Sequence, residues 1–167
     1  ETALNEADGN KCKVHYVFNK SNAANLFKAP SDPLLKQGAC GRSLYLDGFS
    51  TYLNVEGVTT PSKRMTLAAW VAPRVFENLV NYDSASPAAG HPRLTSLINQ
   101  GDMEVGEGFT FGYGRLGLWG IQLNLHSEES GTDFFVGYYD PLHSLNLYEW
   151  NFLSVSFDGA LGYISLS

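Results

Sequence analysis

Residues 41–55, GRSLYLDGFSTYLNV, hold two short runs of alternating apolar and polar side chains, broken by Asp47-Gly48. Period two is the spacing of a half-buried strand, because successive side chains leave a pleated backbone on opposite sides. Leu44 and Leu46 fall on one side, with Ser43, Tyr45 and Asp47 on the other, and Leu53 and Val55 then alternate with Tyr52 and Asn54. Asp bonds to its own backbone and Gly accepts positive φ, so Asp47-Gly48 predicts a tight reversal and the stretch a β-hairpin.

The same pattern recurs along the chain. Residues 14–18 alternate, 66–73 (TLAAWVAP) are apolar on both sides as in a central strand covered on both faces, and further strands are expected at 94–99, 108–113, 116–125, 133–139 and 151–157. A short helix is expected only at 75–81. Residues 1–13 read as a polar N-terminal arm, and 20–39 as a long connection held down by Leu26, Phe27, Leu34 and Leu35. Residues 82–93 form a surface loop and 127–132 (SEESGT) an acidic turn. The domain, residues 14–167, is therefore expected to be an all-β, two-sheet antiparallel β-sandwich.

Composition agrees with one such domain. Hydrophobic residues make up 44 % of 167, enough for a core, whereas charged residues are only 17 % and glycines number 17, which favours short strands and tight turns. The net charge of -6 argues against duplex nucleic acid and anionic membrane surfaces as partners, since neither offers cations. No apolar run is long enough to cross a bilayer. The chain starts at Glu1 without a signal-like segment, so an export signal already removed, or excision from a longer polypeptide, is expected. Sparse charge with abundant Tyr and Asn points to a secreted, periplasmic or cell-surface protein. Cys12 and Cys40 are too few for a zinc site and leave two alternatives, a disulfide or two buried thiols.

Four segments in order, GRSLYLDG at 41–48, YLNV at 52–55, MTLAAWV at 65–71 and WNFLSVSFDG at 150–159, resemble the laminin-G-like or concanavalin A-like lectin/glucanase modules. The resemblance implies a jelly-roll sandwich in which Trp70 and Trp150 are core. It also implies that 161–167 (LGYISLS) begins a strand whose successors, completing both sheets, are missing from this chain. Modules of this kind are frequently fused to glycoside hydrolases, including fructan-acting ones, so a neighbouring domain of the same polypeptide is an expected partner. The functional class so implied is a non-catalytic recognition module with a polysaccharide or glycan ligand, and a structural or adhesive domain without a small ligand is a further alternative.

An enzyme is the other reading. Some glucanases of this fold carry Glu-x-Asp-x-x-Glu on a bulged strand, and here Asp102, Glu104 and Glu107 follow a similar spacing with the first two acids exchanged, among glycines that indicate a loop. The resemblance also implies a calcium ion at a rim, with Asp47, Asp83, Asp102 and Asp158 as turn-located oxygen donors. His15, His91, His126 and His143 are isolated in sequence, which builds no triad. For sugar, aromatic faces must meet C–H groups beside amides and hydroxyls. If Trp119, Ile121, Leu123 and Leu125 face the core, Gln122 and Asn124 face outward, as do Tyr52 and Asn54, and these four are the expected ligand contacts. By the same alternation Leu153, Val155 and Phe157 are buried, leaving Trp150, Phe152, Ser154 and Ser156 on the other surface.

Overall fold

A computed structural model describes residues 13–18, 33–48, 50–58, 63–76, 84–103, 105–127 and 129–167. Its strands are β1 (Lys13–Phe18), β2 (Leu34–Gly38), β3 (Gly41–Tyr45), β4 (Thr51–Glu56), β5 (Arg64–Val71), β6 (Thr95–Gln100), β7 (Phe109–Tyr113), β8 (Trp119–Ser127), β9 (Thr132–Tyr139), β10 (Asn151–Asp158) and β11 (Tyr163–Leu166). All ladders are antiparallel. Among the described residues the helical structure is a single 3-10 turn at Arg115–Gly117, and no helix is long and apolar enough to cross a membrane. The helix expected at 75–81 falls largely outside the described residues. The fold is all-β, built of antiparallel sheets, and the chain divides into two compact units, Glu1–Thr60 and Pro61–Ser167.

In the first unit β1 pairs with β4, Lys13 opposite Glu56 and Phe18 opposite Thr51, and β2 pairs with β3, Leu34 opposite Tyr45 and Gly38 opposite Gly41. The expected hairpin of 41–55 is therefore corrected, since its two strands exist but each has a different partner. The cause lies at Asp47. Its Oδ1 accepts the Ser50 and Thr51 amides, both at 2.9 Å, and the Thr51 hydroxyl at 2.7 Å, while Oδ2 takes the Ser50 hydroxyl. An aspartate that collects donors three and four residues ahead shapes a wider turn, not a two-residue reversal. The tight turn sits earlier, at Ala39-Cys40, where Gly41 has φ +98° and a side chain on Gly38 would press on Ser43. Leu34 and Leu35 belong to this β2–β3 ribbon and are exposed, not tacked to a core. Cys40 lies in the turn as a free, exposed thiol, where the sequence left a bridge or a buried thiol open; Cys12 lies outside the described residues.

The second unit is a sandwich of two sheets, β11-β10-β5 and β6-β7-β8-β9, closed over one core. Phe109 and Phe111 of β7, Trp119, Ile121 and Leu123 of β8, Leu153 and Val155 of β10, and Leu145 form its buried centre. Met65, Leu67, Ala69 and Val71 of β5 and Phe157 of β10 pack around it, as the alternation requires. Expected inward and outward sets on β8 and β10 match the structure. β5 does not read as a strand covered on both faces: its odd positions face the core, and the even ones, Thr66, Ala68 and Trp70, turn away from it and are exposed. β11 forms from the last residues by pairing with β10, Leu166 opposite Val155, and Ser154 and Ser167 exchange backbone hydrogen bonds of 2.7 and 2.9 Å beyond it.

Candidate functional site

The face of β11-β10-β5 turned from the core carries an exposed aromatic pair on its strand ladder. Trp70 and Phe152 are direct partners across β5 and β10, 48 % and 51 % exposed, with ring centroids 5.2 Å apart and planes tilted by 51°. Below them along the strands come Ala68 opposite Ser154, then Thr66 opposite Ser156 with their hydroxyls 3.0 Å apart, then Arg64 opposite Asp158 with Nε and Oδ2 2.8 Å apart. β11 adds Ser165 beside Ser156 and the exposed Tyr163 beside Asp158. The far end forms a shallow, open depression lined by Arg64, Thr66, Ser156, Asp158 and Tyr163. Aromatic surface at one end, hydroxyls in the middle and a closed ion pair at the other make a face that can bury C–H groups and exchange hydrogen bonds with hydroxyls without a free charge.

At the aromatic end Trp150 is 39 % exposed and precedes β10 directly. Tyr148, also exposed, holds φ +64°, a region that a side chain of its size rarely enters, and its N–H donates to Pro73 O at 2.7 Å just past β5. Trp70 and Trp150 are thus not the core tryptophans that the family resemblance implies; Trp119 fills that role, with its Nε1 donating to His143 O at 3.0 Å. The signal for Trp70 was present in the sequence, because Met65, Leu67, Ala69 and Val71 fix its parity outward.

Residues expected to touch ligand lie elsewhere. Tyr52 and Asn54 share one face of β4 in the first unit and are exposed, the Asn54 amide 3.5 Å from Glu56 Oε1. Gln122 and Asn124 of β8, in the second unit, do turn away from the core, but that face is roofed. Gln122 is fully buried; its Nε2 donates to Pro92 O at 2.5 Å and to the Tyr139 hydroxyl at 2.8 Å. Asn124 Nδ2 reaches Met103 Sδ at 3.5 Å. The segments around Ala88 and Met103, both buried, cover the polar face, and Gly106 comes so close to Pro87 that a Cβ there would lie 3.1 Å from its ring. The Gln122 amide is committed to holding a loop, a role that alternation alone does not reveal.

Asp102 and Glu107 are exposed on the β6–β7 turn, where Asp102 O accepts the Glu107 and Val105 amides at 2.8 and 3.3 Å and Gly101, Gly106 and Gly108 have positive φ; Glu104 lies outside the described residues. Asp102 borders a polar groove with Arg93, Ser96, Asn99 and Thr110. Of the implied calcium ligands, Asp83 lies outside the described residues. Asp47 gives its carboxylate to the donors above, and Asp158 gives its own to Arg64 and to the Ala160 and Leu161 amides at 3.1 and 3.2 Å, so neither fits a cation site. Among the described residues no three His, Cys, Asp or Glu side chains converge on one point.

Each described histidine side chain has a neighbour of its own. His91 Nδ1 lies 3.1 Å from the Tyr139 hydroxyl with its ring 4.6 Å from Phe135, and His126 Nδ1 lies 2.7 Å from Asp133 Oδ1 on the exposed β8–β9 ladder. His143 Nδ1 lies 3.1 Å from Asp140 Oδ2. Asp140 beside it is a carboxylate whose surroundings favour its charged form. Burial works to raise its pKa, but the Leu142 and His143 amides at 2.8 and 3.0 Å, with the His143 ring, outweigh that and hold it below its ordinary value.

Compared with protein-family models, with curated proteins and with solved structures, the chain gives no match.

Proposed function

We propose that this chain is a non-catalytic carbohydrate-recognition module of a larger exported protein, of the concanavalin A-like jelly-roll kind that is joined to glycoside hydrolases. The observation that carries the reading is the Trp70–Phe152 pair, held open on a ladder whose next rows are hydroxyls. Water is a poor neighbour for two large aromatic faces, and a sugar ring offers the complementary pair of surfaces, apolar C–H on one side and hydroxyls at the edge. The four sequence segments that resemble such modules point to the same class. Further strands after Ser167, and a hydrolase domain joined to this one, are part of the proposal.

Retardation in polyacrylamide gels cast with soluble fructan, mannan, xylan or β-glucan tests it. Retardation by at least one polysaccharide, lost in Trp70→Ala and Phe152→Ala and retained in Trp70→Phe, is the expected result. Migration unaffected by every polysaccharide, or retardation unchanged in Trp70→Ala, removes the reading. Glu107→Gln and Asp102→Asn, on the β6–β7 turn, are expected to leave binding intact.

A further inference from the structure

We infer that the β11-β10-β5 face takes a single neutral glycan chain laid along its strands, and not the flat surface of a crystalline polymer; this rests on the carbohydrate-binding reading above. The ring geometry decides the first point. Two rings tilted by 51° at 5.2 Å cannot both lie flat on one plane, so a crystalline face would touch one ring and lift off the other. One chain with some freedom about its linkages can meet both.

Charge decides the second point. Arg64, a cation on this face, is paired with Asp158 at 2.8 Å, and Asp158 is further satisfied by two backbone amides. A uronate or sulfated chain would meet the Asp158 carboxylate beside Arg64, on a protein of net charge -6. Hydroxyls of Thr66, Ser156 and Ser165 instead suit a ligand whose polar groups are themselves hydroxyls.

Shape decides the direction. Along β10 the face runs from Phe152 to Asp158, about 20 Å at about 3.3 Å per residue, or about four sugar units, whereas the three described strands span about 10 Å across. A chain laid along β10 starts over Trp70 and Phe152, passes Ser154 and Ser156, and reaches Tyr163 beside Asp158 at the far end. Tyr163 is therefore a contact that only longer ligands reach.

Titration calorimetry on the whole chain with length-graded neutral oligosaccharides, two to eight units, of the polysaccharide that retards it tests the inference, alongside pull-down on crystalline cellulose and chitin. Affinity is expected to climb to about four units and then level. Trp70→Ala weakens every length about tenfold and Trp70→Phe restores most of it, while Tyr163→Ala weakens only the tetramer and longer ligands by a few fold. Both positions are exposed, and unchanged circular dichroism identifies folded variants. Full affinity for a disaccharide, equal loss at all lengths in Tyr163→Ala, preference for an acidic chain, or capture by the crystalline polymers overturns the inference while leaving carbohydrate binding in place. No binding to any carbohydrate overturns both.

Discussion

Replacing Gln122 by Leu separates a scaffold role from a ligand role at the one expected sugar contact that is fully buried. Leucine keeps nearly the same bulk, so no cavity opens, but both amide donations vanish. The Tyr139 hydroxyl keeps its contact with His91 at 3.1 Å and loses about 1 kcal/mol of net hydrogen bonding. The Pro92 carbonyl loses this donor beneath a loop, which costs about 1–3 kcal/mol, for a total of about 2–4 kcal/mol. In urea, with a slope of about 2 kcal/mol/M, the unfolding midpoint of the second unit falls by about 1–2 M at unchanged slope. Retardation by polysaccharide, measured well below that midpoint, stays as in the parent protein. A Gln122→Leu protein that unfolds where the parent does, yet no longer binds sugar, would refute the reasoning and return Gln122 to the ligand.

Three further expectations concern the fold and its pH dependence. Phe111, fully buried at the centre of the core, costs about 3–5 kcal/mol when replaced by Ala, read as a lower urea midpoint; a loss below about 1 kcal/mol would mean that the two sheets do not close over it. Gly120→Ala would drive a methyl group into the Tyr138 carbonyl across the β8–β9 ladder, so that variant is expected to lose about 2 kcal/mol or more and to weaken protection of β9 amides in hydrogen exchange; unchanged exchange there would contradict the ladder. Asp140 has a depressed folded pKa, so the stability it contributes is present above the ordinary carboxylate range and is lost as pH falls through the folded value. The stability gap between the parent and Asp140→Asn should therefore be widest at about pH 6 and close towards about pH 3, and a gap constant across that range would show that its hydrogen bonds do not depend on charge.

What the sequence makes legible is parity, and what it hides is partnership. On β8 and β10 the alternation assigns the core side chains correctly, because each of those strands has one face in the core. On β5 a run of small and apolar residues suggests burial on both faces, and only the register of Met65, Leu67, Ala69 and Val71 places Trp70 outside. Hairpin pairing fails for the complementary reason. Asp47-Gly48 is a turn, but β3 is already paired with its neighbour Leu34–Gly38 across the tight turn at Ala39-Cys40, and β4 meets Lys13–Phe18, far away in sequence. Gln122 illustrates a third limit, since an outward side chain is open to ligand only if no loop lies over it, and the cover around Ala88 and Met103 leaves no periodic trace.

If the proposed function holds, the size of the aromatic end also sets how tightly this protein binds sugar. Trp70 and Phe152 are each about half exposed, so a sugar chain that covers them removes about 200 Å² of apolar surface from water. At about 25 cal/mol per Å² that is about 5 kcal/mol before the loss of translational and rotational freedom, which consumes a comparable amount. Hydrogen bonds to Thr66, Ser154, Ser156 and Ser165 add about 1 kcal/mol each at most, because water already serves those hydroxyls. The balance, at most about 4 kcal/mol, is a Kd of about a millimolar, which requires sugar concentrations of several millimolar to saturate. On the proposed function, such weak binding would suit a module that holds a linked domain near a polymer, where many equivalent sites raise the effective concentration. A nanomolar Kd at this one face would exceed what its area and hydroxyls can supply, and would place essential contacts outside Trp70, Phe152 and the strands below them.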